Sequence, residues 1–388
     1  MAVDGRKPLL MHANSYDDPS ILHASGFLAP DPFTYLERDG DRVILASALE
    51  AGRARTQSRA TAVREMDEFG IQQLVRETKS WDDAYALALD RFLVEYGVRE
   101  AAVPREFPLY LAELLRRRGV RLEIASDLDE RRRRKTPEEI AAIEETQRAT
   151  EAAFETASRL LRRAEVAKDR TLVLDRAPLT AERVRAAMEF TLLERGCVAE
   201  DTIAAGGAHA AQPHNVGSGP YRANEAIVID IYPQSKRTRY FADMTRTVCR
   251  GEPSGELVRM YDTTLRAQEE GIAMVRPGVT GREIHERIED LLYEAGYGTT
   301  REGQRRSGVA SFIHGLGHGV GLAIHEAPVI GRSGVKALAT GDVVTIEPGL
   351  YLDGFGGVRL EDILVVTDTG ARNLTQAPKG LRLAEGVS

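Results

Sequence analysis

Two aspartates in strand-like segments strongly restrict the folds open to this sequence. Asp230 ends the apolar run IVID, and Asp243 stands in RYFADMTRTV, beyond a polar turn at residues 234–237. If these segments pair antiparallel, the two aspartates lie opposite each other on one face, with Cβ atoms about 5 Å apart. The spacing therefore predicts a hairpin that presents two carboxylates together.

The same pattern occurs again near the end of the sequence. Glu347 follows VVTI, Glu361 stands in GVRLEDILVV, and their midpoint is Gly354 in the turn DGFGG. A buried carboxylate is costly unless a cation or hydrogen bonds compensate it. No cluster of Lys or Arg accompanies these strands, so metal ions are the expected compensation. The alternative is a structural ion-pair network.

Histidines lie between the two predicted hairpins. Residues 312–326 contain His314, His318 and His325, three of the eight histidines in the chain. His318 stands between Gly317 and Gly319, where a close approach of the backbone to a metal is possible. Four carboxylates and one imidazole suit two divalent ions of the Mn, Co, Fe and Zn group.

Three further histidines leave alternatives open. His325 could return to the cavity if the chain bends after it, or it could be a hydrogen-bonded core residue. His314 is equally compatible with a functional or a structural role. His214 follows Pro213 in a loop, where we predict a functional role.

Composition and charge limit the class of protein. A chain of 388 residues is expected to form two domains. A net charge of -7, without basic stretches that contain aromatic residues, argues against nucleic acid as a partner. We predict no membrane span, no signal peptide and a cytoplasmic location. Cys197 and Cys249 are expected to be core residues in a reducing compartment.

A capping box marks a domain boundary. In the segment RRRRKTPEEI, Thr136 is the expected N-cap, Pro137 the first helical residue and Glu139 the partner of the cap. This predicts domains at residues 1–134 and 135–388. The arginines at 131–134 are expected to be a solvated linker or a charged dimer surface rather than a nucleic-acid patch.

The two domains differ in their predicted elements. Strand-like and helical segments alternate before residue 135, which predicts a compact α/β domain without a catalytic constellation. After it, two helices followed by a hairpin with two acids occur twice, and Thr280 with Glu283 forms a second capping box. An internal duplication is therefore expected, with metals between its halves.

These residues together resemble the catalytic domain shared by methionine aminopeptidases, Xaa-Pro aminopeptidases, prolidases and creatinase. The resemblance extends from about Lys135 to about Thr369, and Pro19 to Phe33 resembles the creatinase-type N-terminal domain more weakly. It implies an α+β pita-bread catalytic domain with pseudo-twofold, duplicated helix-helix-hairpin halves. A smaller α/β creatinase-like domain would precede it.

The resemblance also implies roles for individual residues. One metal would be bound by Asp230, the other by His318 and Glu347, with Asp243 and Glu361 bridging both. Glu347 would accept the proton of a bridging water. His325 would stabilise the tetrahedral intermediate, and His214 would orient the substrate.

Smaller features resemble the proline-specific branch of this family. They are His314, Tyr351 and Arg359, which are the predicted substrate-binding residues. Arg359 would either organise Glu361 or bind a substrate carboxylate. Two departures from the family pattern are a hairpin longer by about two residues between the aspartates and an unusual segment, Asn215 to Pro220.

The sequence thus predicts a metallopeptidase that uses two divalent ions, Mn²⁺ or Co²⁺ with Zn²⁺ or Fe²⁺ as alternatives. We expect it to remove Xaa from Xaa-Pro substrates, with dipeptides favoured over longer peptides. The partners would be proline-containing peptides and a second copy of the chain in a homodimer. The rival hypothesis is a non-catalytic binding protein with the same fold.

Overall fold

The computed structural model describes residues 7–304 and 306–383. Two compact units divide the chain, the first ending at Arg132 and the second beginning at Arg133. None of the described helices has both the length and the apolar character needed to cross a bilayer.

The first unit is an α/β domain around one mixed sheet. Its strands are β1 (Leu9–Ala13), β2 (Phe33–Arg38), β3 (Asp41–Ala46), β4 (Ala62–Glu65), β5 (Glu100–Val103) and β6 (Arg121–Ile124). Its helices are α1 (Pro19–Ser25), α2 (Ala48–Gln57), α3 (Ile71–Thr78), α4 (Trp81–Glu95), α5 (Leu109–Arg117) and α6 (Leu128–Arg133). The strand order is β4-β3-β2-β1-β5-β6, and the turn at Asp39 and Gly40 joins β2 to β3 as an antiparallel hairpin. The predicted α/β character is confirmed.

The described residues of the second unit form four long helices and several small sheets. The helices are α7 (Pro137–Arg163), α8 (Ala181–Glu194), α9 (Gly255–Met274) and α10 (Gly281–Glu294). Thr136 with Glu139 and Thr280 with Glu283 form the two predicted capping boxes. The strands of the first half are β7 (Glu165–Val166), β8 (Leu172–Leu174), β9 (Ala177–Pro178), β10 (Cys197–Val198), β11 (Ile203–Gly206), β12 (Ala226–Ile231), β13 (Gln234–Ser235) and β14 (Met244–Cys249).

The strands of the second half follow α10. They are β15 (Gly298–Thr299), β16 (Ser311–Phe312), β17 (Gly317–Gly319), β18 (Glu326–Ile330), β19 (Val343–Ile346), β20 (Gly349–Leu352), β21 (Gly356–Arg359), β22 (Asp362–Val366) and β23 (Ala371–Asn373). In one half α7 packs against α8 and precedes the sheet β11-β12-β14, and in the other α9 packs against α10 and precedes the sheet β18-β17-β19-β22-β23. The predicted repetition of two helices and a hairpin is confirmed.

The arginine run at the boundary is only partly the solvated linker or charged dimer surface that we expected, since Arg134 is exposed but the two arginines before it are buried. Arg132 and Arg133 are only 7% and 4% exposed. Arg133 Nη2 lies 2.6 Å from Asp342 Oδ2, which is fully buried. Asp342, 209 residues later in the sequence, thus neutralises Arg133. The run of charges around Arg133 could not predict so distant a partner.

Candidate functional site

The first hairpin places Asp230 and Asp243 on one face but not directly opposite each other. Strands β12 and β14 pair antiparallel, with Asp230 opposite Thr245. Asp243 precedes Thr245 by two residues and therefore lies one ladder step beyond Asp230 on the same face. The two aspartates share one face, as expected of a roughly opposed pair, but they are offset by two residues, because the centre of the hairpin is one residue later than their midpoint.

The second hairpin has the register that the sequence predicts. Strands β19 and β22 pair antiparallel with Ile346 opposite Asp362, and the same register continues between β20 and β21. Extending it by one residue places Glu347 opposite Glu361 at the end of the ladder. Only Asp230 of the four acids lies inside a strand, and the other three lie at strand ends.

His318 comes from the short strand β17, which lies between β18 and β19. A Cβ atom at Gly317 would lie 2.1 Å from Thr345 O, and one at Gly319 would lie 2.3 Å from Ala327 O. Only glycine fits on either side of His318, as its sequence context indicated. Its Nε2 atom lies 3.5 Å from both Asp243 Oδ2 and Glu347 Oε1.

The structure brings the imidazole and the carboxylates into one cluster. Single ligand atoms of Asp243, His318 and Glu361 all lie within 4.8 Å of one another. One oxygen each of Asp230, Asp243 and Glu361 is buried and has no hydrogen-bond partner among the described residues. Buried carboxylate oxygens without donors are costly, and divalent cations would compensate them. Together with the imidazole, these oxygens form a donor set that fits such cations.

The electrostatics of the cluster agree with this chemistry. Burial and the neighbouring Glu361 carboxylate raise the pKa of Asp243 and of Glu347 well above the usual range. Burial, followed by the charge of Asp230, raises the pKa of Glu361 to about 8. Without a cation these acids favour their protonated forms, so a cation would have to displace protons.

Arg359 lies at the centre of the hydrogen-bond network behind the cluster and is 4% exposed. Its Nη2 donates to Asp230 Oδ2 at 2.6 Å, its Nη1 to Tyr351 OH at 2.9 Å, and its Nε to Thr245 Oγ1 at 3.2 Å. The remaining N–H groups of Nη1 and Nη2 donate to Pro213 O at 3.3 Å. All five guanidinium donors are therefore engaged within the protein.

Thr245 extends this network to the second hairpin. Its hydroxyl donates to Glu361 Oε2 at 2.8 Å while it accepts from Arg359. One arginine thus orients Asp230 directly and Glu361 through Thr245. Thr245 was not among the residues predicted from the sequence, although its place two residues after Asp243, on the same face of the strand, is a signal that could have found it.

His314 and Tyr351 form a relay on the other side of Arg359. His314 Nδ1 lies 2.7 Å from Gly315 O, so this nitrogen carries the proton and donates it. Its Nε2, 2.9 Å from Tyr351 OH, then accepts the hydroxyl proton. Burial and the charge of Arg359 lower the pKa of His314 to about 3, which keeps the ring neutral.

The other predicted histidines lie in the same pocket. The ring of His325 is 4.3 Å from that of His318 in an edge-on arrangement. Burial and the nearby His214 lower the pKa of His325, so its neutral form is favoured. His214 lines the pocket as well. The structure thus places all the predicted site residues near one another, except that Tyr351 lies behind the pocket wall.

A buried ion pair anchors the segment that carries His325. Lys135 Nζ lies 2.6 Å from Glu326 Oε1, and the two side chains are 1% and 2% exposed. Glu326 Oε2 accepts a hydrogen bond from Ala323 N at 3.2 Å. The residue next to His325 is therefore fixed on two sides.

The pocket has a volume of about 920 Å³, and its walls combine the cluster with apolar side chains. The pocket is also lined by Val216, from the segment Asn215 to Pro220, and by residues that were not predicted from the sequence: Asp201, Ile203, Tyr232, Ile313 and Ile324. A pocket of this size, with apolar walls and a few converging polar groups, is typical of sites that bind small molecules.

Comparisons with known proteins agree with this geometry. The pattern of metallopeptidase family M24 matches residues 141–368. A protein named Xaa-Pro dipeptidase from Pyrococcus furiosus is 36% identical over 201 residues, which are 51% of this chain and 54% of that protein. Another Xaa-Pro dipeptidase, from Lactobacillus helveticus, is 30% identical over 268 residues, 67% of this chain and 65% of the relative. The chain therefore spans between about half and two thirds of these curated relatives.

Solved structures match nearly the whole chain. The Xaa-Pro dipeptidase from Bacillus anthracis superposes with a TM-score of 0.79 at 26% identity, over 97% of this chain and 95% of that one. The prolidase from Pyrococcus furiosus gives a TM-score of 0.77 at 25% identity, over 96% and 97%. The fold is thus prolidase-like, with an N-terminal α/β domain before the catalytic domain, and the chain belongs to metallopeptidase family M24.

Proposed function

We propose that this protein hydrolyses the bond before proline in Xaa-Pro substrates and releases the N-terminal residue, with two divalent cations bound. The proposed ions are Mn²⁺ or Co²⁺, with Zn²⁺ and Fe²⁺ as alternatives. The observation that carries the proposal is the buried cluster with unpartnered carboxylate oxygens beside an imidazole. The names of the two curated relatives support Xaa-Pro substrates.

The proposed division of the ligands follows the arrangement of the two hairpins. Asp230 would hold one ion, His318 and Glu347 the other, and Asp243 and Glu361 would contact both. His318 Nε2 lies 3.5 Å from Glu347 Oε1, which supports the proposal that the two residues bind the same ion. When bound, the two cations would polarise the scissile carbonyl and lower the pKa of a water molecule towards neutrality.

The remaining steps are assigned to side chains of the chain itself. Glu347 would take the proton of the attacking water, because its carboxylate lines the pocket beside the other ligands of the cluster. His325 would donate a hydrogen bond to the carbonyl oxygen as negative charge develops there. A neutral imidazole retains one N–H for this purpose. His214, which also lines the pocket, would orient the substrate.

His314, Tyr351 and Arg359 are proposed to shape the substrate subsite. The engagement of all five Arg359 donors supports a role in orienting Asp230 and Glu361. Because no Arg359 donor is left to bind a substrate carboxylate, this engagement also favours a second candidate function, the cleavage of longer peptides. The terminal carboxylate of such substrates does not lie close to the scissile bond. Dipeptides remain the primary proposal because both named relatives are dipeptidases.

The test is hydrolysis by protein loaded with Mn²⁺ or Co²⁺. We expect cleavage of Leu-Pro, with no comparable cleavage of Leu-Ala, and loss of activity after chelation that returns when metal is added. Leu-Pro and Leu-Pro-Gly-Gly compared at equal concentrations would decide the length preference. A protein that binds no metal and gains no activity from any of these ions would instead support the non-catalytic binding role.

Two structural predictions accompany this function. We propose that the protein is a homodimer, which light scattering after size-exclusion chromatography would test. We also propose residues 1–134 as the creatinase-like domain, with residues 135–388 as the catalytic domain. Expression of residues 135–388 alone would show whether that unit folds and binds metal by itself.

A further inference from the structure

One acidic residue lines the pocket but does not belong to the carboxylate cluster. Of the acidic residues described along this pocket, Asp201 alone stands outside the set Asp230, Asp243, Glu347 and Glu361. Its side chain is exposed, and within the described part of the chain it makes no ion pair or side-chain hydrogen bond. Its charge is therefore available to a ligand in the pocket.

The backbone holds Asp201 in a defined position. Asp201 has a left-handed conformation with φ of 53°. Its carbonyl oxygen accepts a hydrogen bond from Tyr232 OH at 2.9 Å. Aspartate and asparagine adopt this conformation more readily than most residues. The carboxylate therefore projects from a fixed point of the pocket rim.

This fixed point lies a short distance from the proposed reaction centre. Asp201 precedes Ile203 by two residues, so their Cα atoms are at most about 7 Å apart. Ile203 in turn is paired with Asp230 across the β11–β12 ladder. Ile203 and the Tyr232 ring also line the pocket and provide an apolar path between the cluster and Asp201.

We propose that Asp201 is a specificity-determining residue that binds a basic side chain at the Xaa position of the substrate. This inference rests on the proposed Xaa-Pro function. In such a substrate a positive charge belongs to Xaa, because the proline ring is apolar and its nitrogen forms the scissile amide. Xaa would thus lie on the β11–β12 side of the pocket.

The position of Asp201 outside the cluster favours the Xaa side chain of the substrate, rather than its α-amino group, as the cation that Asp201 binds. The α-amino nitrogen is two bonds from the scissile carbonyl carbon and must stay close to the cluster. A lysine ammonium extends roughly 6 Å from its Cα on a flexible apolar stem. That reach is similar to the two-residue step from Ile203, which is paired with Asp230, to Asp201, and the stem would pack on Ile203 and Tyr232.

The test compares Lys-Pro with norleucyl-proline, whose Xaa side chain is apolar and of similar length. For the metal-loaded protein we expect kcat/KM to be roughly two- to fivefold higher for Lys-Pro at low ionic strength, the range of a partly exposed ion pair. Asp201→Asn keeps the left-handed backbone preference and removes only the charge, so the ratio should fall to about one. Added salt should lower the ratio for the unsubstituted protein.

Glu200→Gln is the matched control, because Glu200 is an exposed neighbour that does not line the pocket. It should leave the ratio unchanged. An equal ratio in the unsubstituted protein and Asp201→Asn would overturn the inference, as would an equal loss on both substrates. Failure of the unsubstituted protein to cleave either dipeptide would instead overturn the proposed function, and the inference with it.

Discussion

Two regions of the molecule bury titratable groups in opposite ways. In the N-terminal unit, His12 Nδ1 lies 3.0 Å from Thr34 Oγ1 and 3.1 Å from Tyr85 OH, and the two hydroxyl oxygens are 2.7 Å apart. Burial lowers the pKa of His12 to about 4, so this group is neutral and satisfied. The carboxylate cluster instead buries acids beside one another and leaves three oxygens without donors among the described residues.

The comparison shows that buried titratable groups can have two roles. They can stabilise the fold, as in the His12 network, or they can form a binding site, as in the carboxylate cluster. A satisfied network stabilises its surroundings and requires no further ligand. An unsatisfied acidic cluster lowers the stability of the metal-free fold, and cation binding restores it. Each of the following experiments perturbs one of these two regions.

The largest effect is expected for Asp243→Ala. Removing a proposed ligand of both ions should reduce kcat/KM for Leu-Pro by more than about 10³-fold. Bound metal, measured by elemental analysis, should fall as well. The metal-free variant should be at least as stable as the unsubstituted protein, because it loses a buried acid whose ionisation burial and the neighbouring carboxylates disfavour.

Asp353→Ala is the control for that experiment, since Asp353 is an exposed acid in the β20–β21 turn. An Asp243→Ala protein with normal activity would contradict the proposed mechanism. Lower stability of the metal-free Asp243→Ala protein would contradict the view that the cluster carries an electrostatic cost.

Arg359→Met should affect both stability and metal binding. It leaves Asp230 buried without its partner, which costs about 3–5 kcal/mol of unfolding free energy. The loss of the orienting hydrogen bonds should weaken metal affinity roughly 10- to 100-fold. Urea unfolding and titration calorimetry measure the two effects.

Arg359→Lys is the informative comparison, because it keeps the charge and loses the planar five-donor geometry. We expect it to recover part of the stability but little of the metal affinity. Full recovery of both would show that charge alone, not the five-donor geometry, is required.

The pH dependence of stability should differ between the metal-free and metal-loaded protein. The folded-state pKa of Glu361 is raised to about 8, above its unfolded value near 4.5, so the folded chain binds more protons in this interval. Stability of the metal-free protein should therefore be fully present below about pH 4.5 and decline as pH rises through 8. Metal binding should release protons and reduce this decline.

Thermal unfolding across this pH range, with and without Mn²⁺, measures the effect. Calorimetry of Mn²⁺ binding in buffers of different ionisation enthalpy counts the released protons. A metal-free protein whose stability rises steadily from about pH 4.5 to 8 would argue against protonated acids in the cluster.

The smallest effect is expected in the N-terminal unit. Tyr85→Phe removes the hydroxyl that contacts Thr34 and His12, and should lower the unfolding free energy by about 1 kcal/mol. Activity should not change, because the network takes no part in the proposed chemistry. A change in kcat/KM with unchanged stability would show that the network serves function rather than the fold.

Local signals in the sequence predicted much of this structure. The capping boxes at Thr136 and Thr280 depend on residues three positions apart, and both form as predicted. The repeated pattern of two helices and a hairpin, and the position of Glu347 opposite Glu361, also follow from local periodicity and turn residues. The cost of burying four acids in apolar strands likewise predicted that these residues and His318 would form one cluster.

Long-range partners explain what the sequence did not reveal. The buried state of Arg133 depends on Asp342, and the engagement of Arg359 depends on Asp230 and Pro213 from the other half of the unit. Asp243 is offset from Asp230 because the hairpin turns around a point one residue later than the spacing suggested. Asp201 could not be predicted from the sequence, because only the folded structure places it in the pocket wall.

The contact between Arg359 and Asp230 also has a consequence during synthesis. The two residues are 129 positions apart, so Asp230 leaves the ribosome well before the residue that orients it. At typical translation rates this delay is on the order of ten seconds. A nascent chain therefore cannot complete the cluster until Glu361 has been made.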